Sequence, residues 1–345
     1  MTQLSYPEGV FVSNDEVFIA DTLNHRVRKL LRNGQIVTIA GTGVKGYDGD
    51  GQLATNAKLR YPTSVVVSSS DQVYIADGKR IRKIDRNGII STIGGTGEEG
   101  YSGDDQLAIY AKMSPFGLFV TDDEEVLFTD SGNHCVRKID RFGIVSTIAG
   151  NGTKGYNGDD QLATTAQLSH PLSVNQYKNE IFISDHGNFR IRKIDPSGII
   201  STIVGPNIIN DPTLLFVHNG EVYFTQYDDL CKFQLNGTIK TIRSEFNTGF
   251  NGGFMAGLYF PVGIFVDQDS QIYIADTNNH CIRRIDQEDG TMSSVVGTIG
   301  KRGYSGDVPF DFQKYPHIGP RQKQKIKPFS NAYHDLIVIY KVSID

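Results

Sequence analysis

The chain has 345 residues, and its 34 lysines and arginines against 39 aspartates and glutamates give a net charge of −5. This mildly acidic balance argues against a general polyanion binder, and no apolar run reaches the ~18 residues of a membrane-spanning helix. With 37 glycines and only 3 cysteines, a soluble, turn-rich fold without a disulfide scaffold is expected. The N-terminal residues lack the charged and apolar regions of a signal peptide, so the sequence leaves the compartment unknown.

Four short runs rich in Val, Ile, Phe and Tyr open the chain and predict four β-strands. Turn signals such as Asn33-Gly34 separate these runs. The predicted strands are roughly Gly9–Val12, Glu16–Ala20, Arg26–Leu30 and Ile36–Ala40. They are called a to d below, in chain order.

A polar segment, GYDGDGQLATNAKL (46–59), follows the fourth strand and looks at first like the start of a calcium loop. It returns at 100–113 and 155–168, truncated at 303–307 and degenerate at 249–260. Ser102 and Asn157 replace Asp48, and no copy has the closing Glu of an EF-hand loop. The segment is therefore predicted to be a structural connector without metal or cofactor. Its persistent Asp is expected to cap a short helical turn, and the Ala-x-x-Ala-x-Leu tail to pack inward.

A second motif repeats in register with the connector: EVFIADTLNHRVRKL, centred on Asp21. Five further copies follow, and the fifth of the six units carries Gln226 in place of the Asp. Six units of four strands each predict an all-β, six-bladed β-propeller of antiparallel blades, since a solenoid would have shorter repeats. The expected blades are approximately 5–60, 61–113, 114–169, 170–210, 211–259 and 260–307.

Residues 308–345 depart from the repeat and form a divergent tail. They are expected either to add a closing strand or to be a misassigned segment. The abrupt ends suggest a slice of a longer protein, so the chain is expected to be a monomer or part of a larger chain.

The repeated pattern Ile-Ala-Asp-x-x-Asn-His-Arg-Ile-Arg-Lys-Ile-Asp, followed by Gly-x-Ile-Ser-Thr-Ile-x-Gly, resembles the NHL repeat from Tyr6 to Asp307. The Gly-Tyr-x-Gly-Asp connector is similar to those of NHL propellers of bacteria and protists and of the NHL region of teneurins. The resemblance implies a propeller that acts mainly as a recognition platform, with occasional enzymes in the family.

Strand polarity predicts where ligands bind. In an antiparallel blade the b–c turn and the d–a connector emerge on the same face, and these are the long, polar loops. A protein or another macromolecular ligand is expected on this face. The candidate ligand-binding residues are Tyr47, Asp50, Tyr101, Asp104, Tyr156, Asp159, His25, His134, His280, Tyr227 and Asp228.

The repeated aspartates that end strand b are interpreted as structural acceptors for the amides of the b–c turn, rather than as a ring of catalytic carboxylates. These are Asp21, Asp77, Asp130, Asp185 and Asp276. The three equivalent histidines lie off the axis, too far apart to share a metal.

The arginines of strand c are expected to pair with Asp85, Asp140, Asp195 and Asp286, which together with the net charge makes RNA binding unlikely. No catalytic motif is present, so a non-catalytic platform is favoured. The alternative is a hydrolase- or lyase-like propeller with a metal at the channel mouth, where Gln226, Tyr227 and Asp228 break the repeat.

Overall fold

A computed structural model describes residues 3–206, 208–209, 212–226, 229–234, 237–242, 257–287, 290–299 and 302–303. The tail 308–345, Tyr227 and Asp228 lie outside these ranges. The described chain forms six antiparallel sheets of four or five strands, with helix limited to short 3-10 turns. The predicted six-bladed propeller is confirmed.

Strands a to d of each blade form a meander in which consecutive strands pair, and in blades 3 and 4 a short strand of the preceding connector pairs with strand d. Blade 1 contains β1 (Pro7–Ser13), β2 (Glu16–Asp21), β3 (Arg26–Leu30) and β4 (Ile36–Ala40). Blade 2 contains β5 (Pro62–Val67), β6 (Val73–Asp77), β7 (Arg80–Ile84) and β8 (Ile90–Gly94). Blade 3 contains β9 (Gln106–Leu107), β10 (Pro115–Val120), β11 (Val126–Asp130), β12 (Cys135–Ile139) and β13 (Ile144–Ala149).

The last three blades follow the same order. Blade 4 contains β14 (Gln161–Leu162), β15 (Pro171–Tyr177), β16 (Glu180–Asp185), β17 (Arg190–Ile194) and β18 (Ile199–Val204). Blade 5 contains β19 (Pro212–His218), β20 (Glu221–Gln226), β21 (Asp229–Phe233) and β22 (Ile239–Ile242). Blade 6 contains β23 (Pro261–Val266), β24 (Ile272–Asp276), β25 (Cys281–Ile285) and β26 (Met292–Val296).

The 3-10 turns occupy two kinds of position. Four lie in b–c turns, at Thr22–Asn24, Ser131–Asn133, His186–Asn188 and Thr277–Asn279. Three lie in d–a connectors, at Ala54–Asn56, Ala108–Tyr110 and Ala163–Thr165. None of the described helical segments is long and apolar enough to cross a bilayer.

The hydrophobic core is divided among the interfaces between neighbouring blades. The cluster between blades 1 and 2 also contains Ala54, Ala57 and Leu59, all fully buried, so the connector tail packs inward as predicted. The cluster between blades 6 and 1 joins Leu4 and Ile19 to residues of β24 to β26. This last cluster closes the ring with apolar packing.

The inner strands β1, β5, β10, β15, β19 and β23 surround the central channel and approach one another closely. A Cβ added to Gly117 would lie 2.4 Å from the carbonyl oxygen of Leu172 in the next blade. Gly9 and Gly263 occupy the equivalent place, with Cβ positions 2.9 and 2.6 Å from neighbouring carbonyl oxygens. The narrow channel therefore depends on these glycines.

Candidate functional site

The repeated aspartate of strand b is buried at the centre of a polar network. In blade 3, Asp130 accepts hydrogen bonds from the Ser114 amide (2.7 Å) and the Asn133 side chain (2.6 Å), and pairs with Arg137 (3.3 Å). Asp21, Asp77, Asp185 and Asp276 each have equivalent backbone and arginine partners. In the four b–c turns that form a 3-10 helix, the turn donates to the aspartate through its Asn side chain. The prediction that these carboxylates accept the amides of their own b–c turn is wrong for the backbone amides of these turns, because no side-chain cap bond forms there.

Desolvation raises the pKa of these aspartates. Burial brings the pKa of Asp21, Asp77 and Asp185 to about 6, although the paired arginine opposes the shift. The carboxylates are enclosed by protein and hold the connector, the turn and strand c together.

Arg137 uses all of its hydrogen-bond donors inside the protein. Its Nη2 donates to Asp104 (2.6 Å) and to the Ser102 carbonyl (2.9 Å), and its Nε also reaches Asp104 (3.2 Å). Its Nη1 donates to Asp130 (3.3 Å) and to the Lys112 carbonyl (3.1 Å). The side chain is fully buried. The guanidinium therefore bridges strand b of its own blade and the preceding connector.

The predicted pairing of the strand c arginines with Asp85, Asp140 and Asp195 is wrong. Asp140 instead accepts the amides of Phe142 and Ile144 (2.9 Å each) in the c–d turn, and Asp85 and Asp195 do the same in their blades. The arginine side chains equivalent to Arg137 in blades 1, 2 and 4 are also fully buried. They cannot form an exposed basic belt.

The connector aspartates belong to the same network. Asp104 accepts the Tyr101 hydroxyl (2.7 Å) in addition to Arg137, and Tyr101 also bonds to Thr147 (2.8 Å). Asp50 and Asp159 make the corresponding arginine pairs at 2.7 and 2.9 Å. The prediction that these aspartates cap the 3-10 turns is wrong, because the capping positions are Leu53, Leu107 and Leu162 and no side-chain cap bond forms.

The connector position that varies between Asp48, Ser102 and Asn157 forms a different hydrogen bond. Asp48, Ser102 and Asn157 each accept the backbone amide ten residues later. An oxygen acceptor is all that this bond requires, which explains why the three residue types interchange.

The equivalent histidines connect neighbouring blades. His280 Nδ1 accepts a hydrogen bond from the Tyr6 amide at 3.2 Å, and the centroids of the two rings are 4.6 Å apart. His134 Nδ1 likewise accepts a hydrogen bond from the His170 amide at 3.2 Å, with the ring centroids 4.5 Å apart. His25 packs on Tyr61 at 4.9 Å. Burial lowers the pKa of His280 to about 4, so a neutral imidazole accepts the bond. Among the described residues, no three His, Cys, Asp or Glu side chains cluster closely enough to hold a metal.

The connectors do not remain on the face that carries the b–c turns. The connector into blade 3 begins there, where Asn133 donates to the Gly100 carbonyl (2.9 Å). It then runs along the outer edge of the blade, where β9 pairs with β13 and the Ala108 amide donates to the Gly143 carbonyl (2.8 Å). The connector thus reaches the c–d turn, and its exposed residues form part of the outer rim.

The rim of blade 3 carries an apolar patch. We call Leu107, Ile109, Tyr110 and Phe142 the blade 3 rim patch; their exposed fractions are 43%, 41%, 66% and 70%. Arg141 lies over the Phe142 ring at 4.9 Å. Polar residues occupy the equivalent positions of three of the four members in other blades. Ile109 corresponds to Thr55 and Thr164, Tyr110 to Asn56 and Thr165, and Phe142 to Asn87 and Ser197. The patch is therefore specific to one blade.

The other predicted site residues are dispersed around the ring. Tyr47, Tyr101 and Tyr156 lie on successive connectors, and these residues are 40%, 47% and 37% exposed. In the degenerate blade, the Gln226 amide donates to Cys231 Sγ at 3.3 Å, whereas Tyr227 and Asp228 lie outside the described residues.

Two polar residues of the inner strands, Glu8 and Asn175, are not among the residues predicted from the sequence. Both are 4% exposed. Each is the one residue of its chemical type among six equivalent inner-strand positions, so comparison of strand a across the repeats could have found them.

The architecture defines the chain as a six-bladed β-propeller, and comparisons with known proteins identify its family. The family model described as the teneurin NHL domain matches residues 43–102, and the NHL repeat model matches residues 258–285. The chain is an NHL-repeat β-propeller.

Two relatives and one solved structure illustrate the similarity. NHL repeat-containing protein 2 of Homo sapiens is 26% identical over 344 residues, which covers 89% of this chain and 42% of that protein. Teneurin-m of Drosophila melanogaster is 30% identical over 280 residues, covering 77% of this chain and 9% of that protein. The chain therefore spans less than half the length of these relatives. Virginiamycin B lyase from Staphylococcus aureus superposes with a TM-score of 0.54 at 15% identity, covering 85% of this chain and 86% of that one, and shows the fold alone.

Proposed function

We propose that the chain is a non-catalytic recognition propeller that binds a protein partner through its connectors and b–c turns. The large exposed apolar side chains support this proposal. In the described residues, all of them except Phe142 lie on a connector or a b–c turn. Surfaces that combine aromatic side chains with arginine are typical of binding hot spots.

The blade 3 rim patch is the observation that carries the proposal furthest. A repeat protein needs the same internal contacts in every blade, so a structural requirement would recur at equivalent positions. The patch instead replaces polar residues with large apolar ones in one blade only. Exposed contiguous apolar surface of this kind marks interaction sites. We therefore place the centre of the partner interface on this rim.

The polar candidates on the connectors contribute less to this interface. Asp50, Asp104 and Asp159 already bind buried arginines. The tyrosines beside them keep one ring edge exposed, and Tyr101 lies on the same rim as the patch because its hydroxyl bonds to Thr147 of β13. The interface thus extends from Tyr101 to Phe142.

The test replaces patch residues by those of the other blades, which the fold already accommodates. The tagged chain is used to capture partners from a lysate of its source organism and is compared with Ile109→Thr/Tyr110→Asn and with Phe142→Asn. The matched control is Phe189→His, since histidine occupies that b–c position in blades 1, 3 and 6.

We expect the wild-type chain and the control to capture the same partner protein, and neither patch variant to capture it. Loss only with Phe189→His would move the interface to the b–c face. Equal recovery with every variant would refute a role for the patch.

A further inference from the structure

The waist of the central channel contains a small cavity of about 60 Å³. The fifth residue of each inner strand contributes to its wall, and five of these six residues are apolar. They are Phe11, Val66, Phe119, Phe216 and Phe265, with Asn175 at the sixth position. The ring centroid of Phe265 lies 4.5 Å from that of Phe11 and 4.7 Å from that of Phe216, so three aromatic rings form a continuous wall.

The Asn175 side chain has no hydrogen-bond partner among the described residues. Its Oδ1 is fully buried and unpaired. Two other polar side chains of the wall are already engaged: Ser64 Oγ accepts the Leu118 amide (3.3 Å), and Ser173 Oγ donates to the Leu215 carbonyl (3.1 Å). A buried hydrogen-bond acceptor without a donor destabilises the folded state. The other blades carry Phe or Val at the position of Asn175, so a ligand that donates a hydrogen bond to Asn175 Oδ1 would explain the amide there.

A second unpaired acceptor lies toward the end of the channel from which the inner strands start. Glu8 is the bulged residue of β1, 4% exposed, and makes no hydrogen bond or ion pair with the described residues. Because no cation compensates for its burial, the pKa of Glu8 is raised to about 8. The equivalent residues of the other blades are Thr63, Phe116, Leu172, Thr213 and Val262.

The positions of the two residues suggest successive contacts along one path. Blades 1 and 4 are opposite one another in a ring of six, so β1, which carries Glu8, and β15, which carries Asn175, lie on opposite sides of the channel. They differ by three positions in strand register, which corresponds to about 10 Å along a strand. A ligand entering from the b–c face would meet Glu8 first and reach Asn175 at the waist.

The chemistry of the channel favours a hydrogen-bond donor that carries positive charge. A carboxylate and an amide oxygen both accept, and aromatic rings attract cations through their negative faces. We propose that the central channel binds a small primary ammonium ion, with Asn175 Oδ1 and the Phe11, Phe216 and Phe265 rings holding it at the waist and Glu8 attracting it at entry.

Hydrogen-bond donation sets the selectivity. The cavity of about 60 Å³ exceeds the roughly 10–15 Å³ that one water molecule needs, so it has room for a small ligand. Ammonium and methylammonium can donate to the buried acceptor, whereas tetramethylammonium donates no hydrogen bond. Methanol is close to methylammonium in size but carries no charge, so it provides the matched neutral probe.

The test is a calorimetric titration of the full chain with methylammonium chloride, methanol and tetramethylammonium chloride at constant ionic strength and about pH 9, above the Glu8 pKa of about 8, so that its carboxylate is ionised. Two variants use residues of other blades, Asn175→Val and Glu8→Thr. Gln176→Val is the control on the same strand as Asn175, because Gln176 lies outside the cavity wall and valine holds that register in the other five blades. Circular dichroism confirms that each variant is folded.

The expected result is saturable binding of methylammonium only. This binding should be at least about tenfold weaker in both Asn175→Val and Glu8→Thr, as the loss of a charge-assisted contact predicts, and unchanged in Gln176→Val. Methanol binding as tightly as methylammonium, binding unaffected by Asn175→Val, or no saturable binding by the wild type would each overturn the proposal. None of these outcomes bears on the blade 3 rim patch, so the two proposals fail independently.

Discussion

Replacement of Arg137 by methionine should be among the most damaging single changes in the propeller. The substitution keeps a long unbranched side chain but removes the charge, and it leaves the fully buried Asp130 without its arginine. Asp104 loses two hydrogen bonds, and the carbonyls of Ser102 and Lys112 lose their donor. Removing one partner of a buried ion pair costs about 3–5 kcal/mol. We expect the free energy of unfolding to fall by this amount.

Urea denaturation followed by circular dichroism measures the effect. The matched control is the next residue, Lys138→Met, whose ion pair with Glu125 is about one-third exposed on both sides and should contribute less than about 1 kcal/mol. Adding Asp130→Leu to Arg137→Met should recover part of the loss, because no unpaired buried charge then remains at that position. A loss below about 1 kcal/mol for Arg137→Met, equal to the control, would refute the view that the repeat arginines hold connector and blade together.

Three further predictions concern other parts of the ring. His134→Phe places in blade 3 the residue that blade 4 has at Phe189, so the ring contact between blades should remain. The melting temperature should therefore fall less in His134→Phe than in His134→Ala, and equal decreases would contradict a packing role for this ring. The folded-state pKa of Glu8 is raised, so its contribution favours folding at acid pH and is lost as pH rises to about 8. The wild type should therefore lose up to about 1.4 kcal/mol per pH unit relative to Glu8→Gln between pH 5 and 8, and parallel urea-unfolding profiles would refute this. Calcium should leave the melting temperature unchanged, because Asp48 is bound to Lys58 and Asp50 to Arg82; a calcium-dependent rise would show that these loops bind the ion.

The fold could be predicted because each blade repeats the same local signals. The strands predicted for the first unit differ from the observed ones by at most two residues at either end, and the connector tail packs as its Ala-x-x-Ala-x-Leu pattern indicates. One short apolar run could be either a strand or part of a helix, but six copies in register identify it as a strand.

The polar contacts were harder to predict because they join different blades. Arg137 and Asp140 are close in sequence, which suggested a pair, but Arg137 instead binds Asp104 on the connector that precedes its blade. Spacing in the sequence predicts contacts between residues that are close along one strand. It does not predict which connector packs against that strand. The path of the connectors over the outer rim was missed for the same reason, since strand polarity fixes where a loop starts but not where it runs.

The channel residues were missed because a single substitution in a repeat resembles ordinary sequence drift. Only the structure shows that Glu8 and Asn175 are buried on the inner strands without side-chain partners among the described residues, and that Asn175 lines the channel cavity. The blade 3 rim patch became visible in the same way, through exposure combined with departure from the repeat.

Site-specific photo-crosslinking tests the recognition function most directly. Benzoylphenylalanine is placed at Tyr110 in the blade 3 rim patch and, as the comparison, at Phe189 on the b–c face, and both chains are irradiated in a lysate of the source organism. Proposed recognition through the rim predicts one dominant protein adduct at position 110 that excess unlabelled wild-type chain suppresses, and little adduct at position 189. No adduct at position 110, or adducts that excess wild-type chain does not suppress, would contradict it.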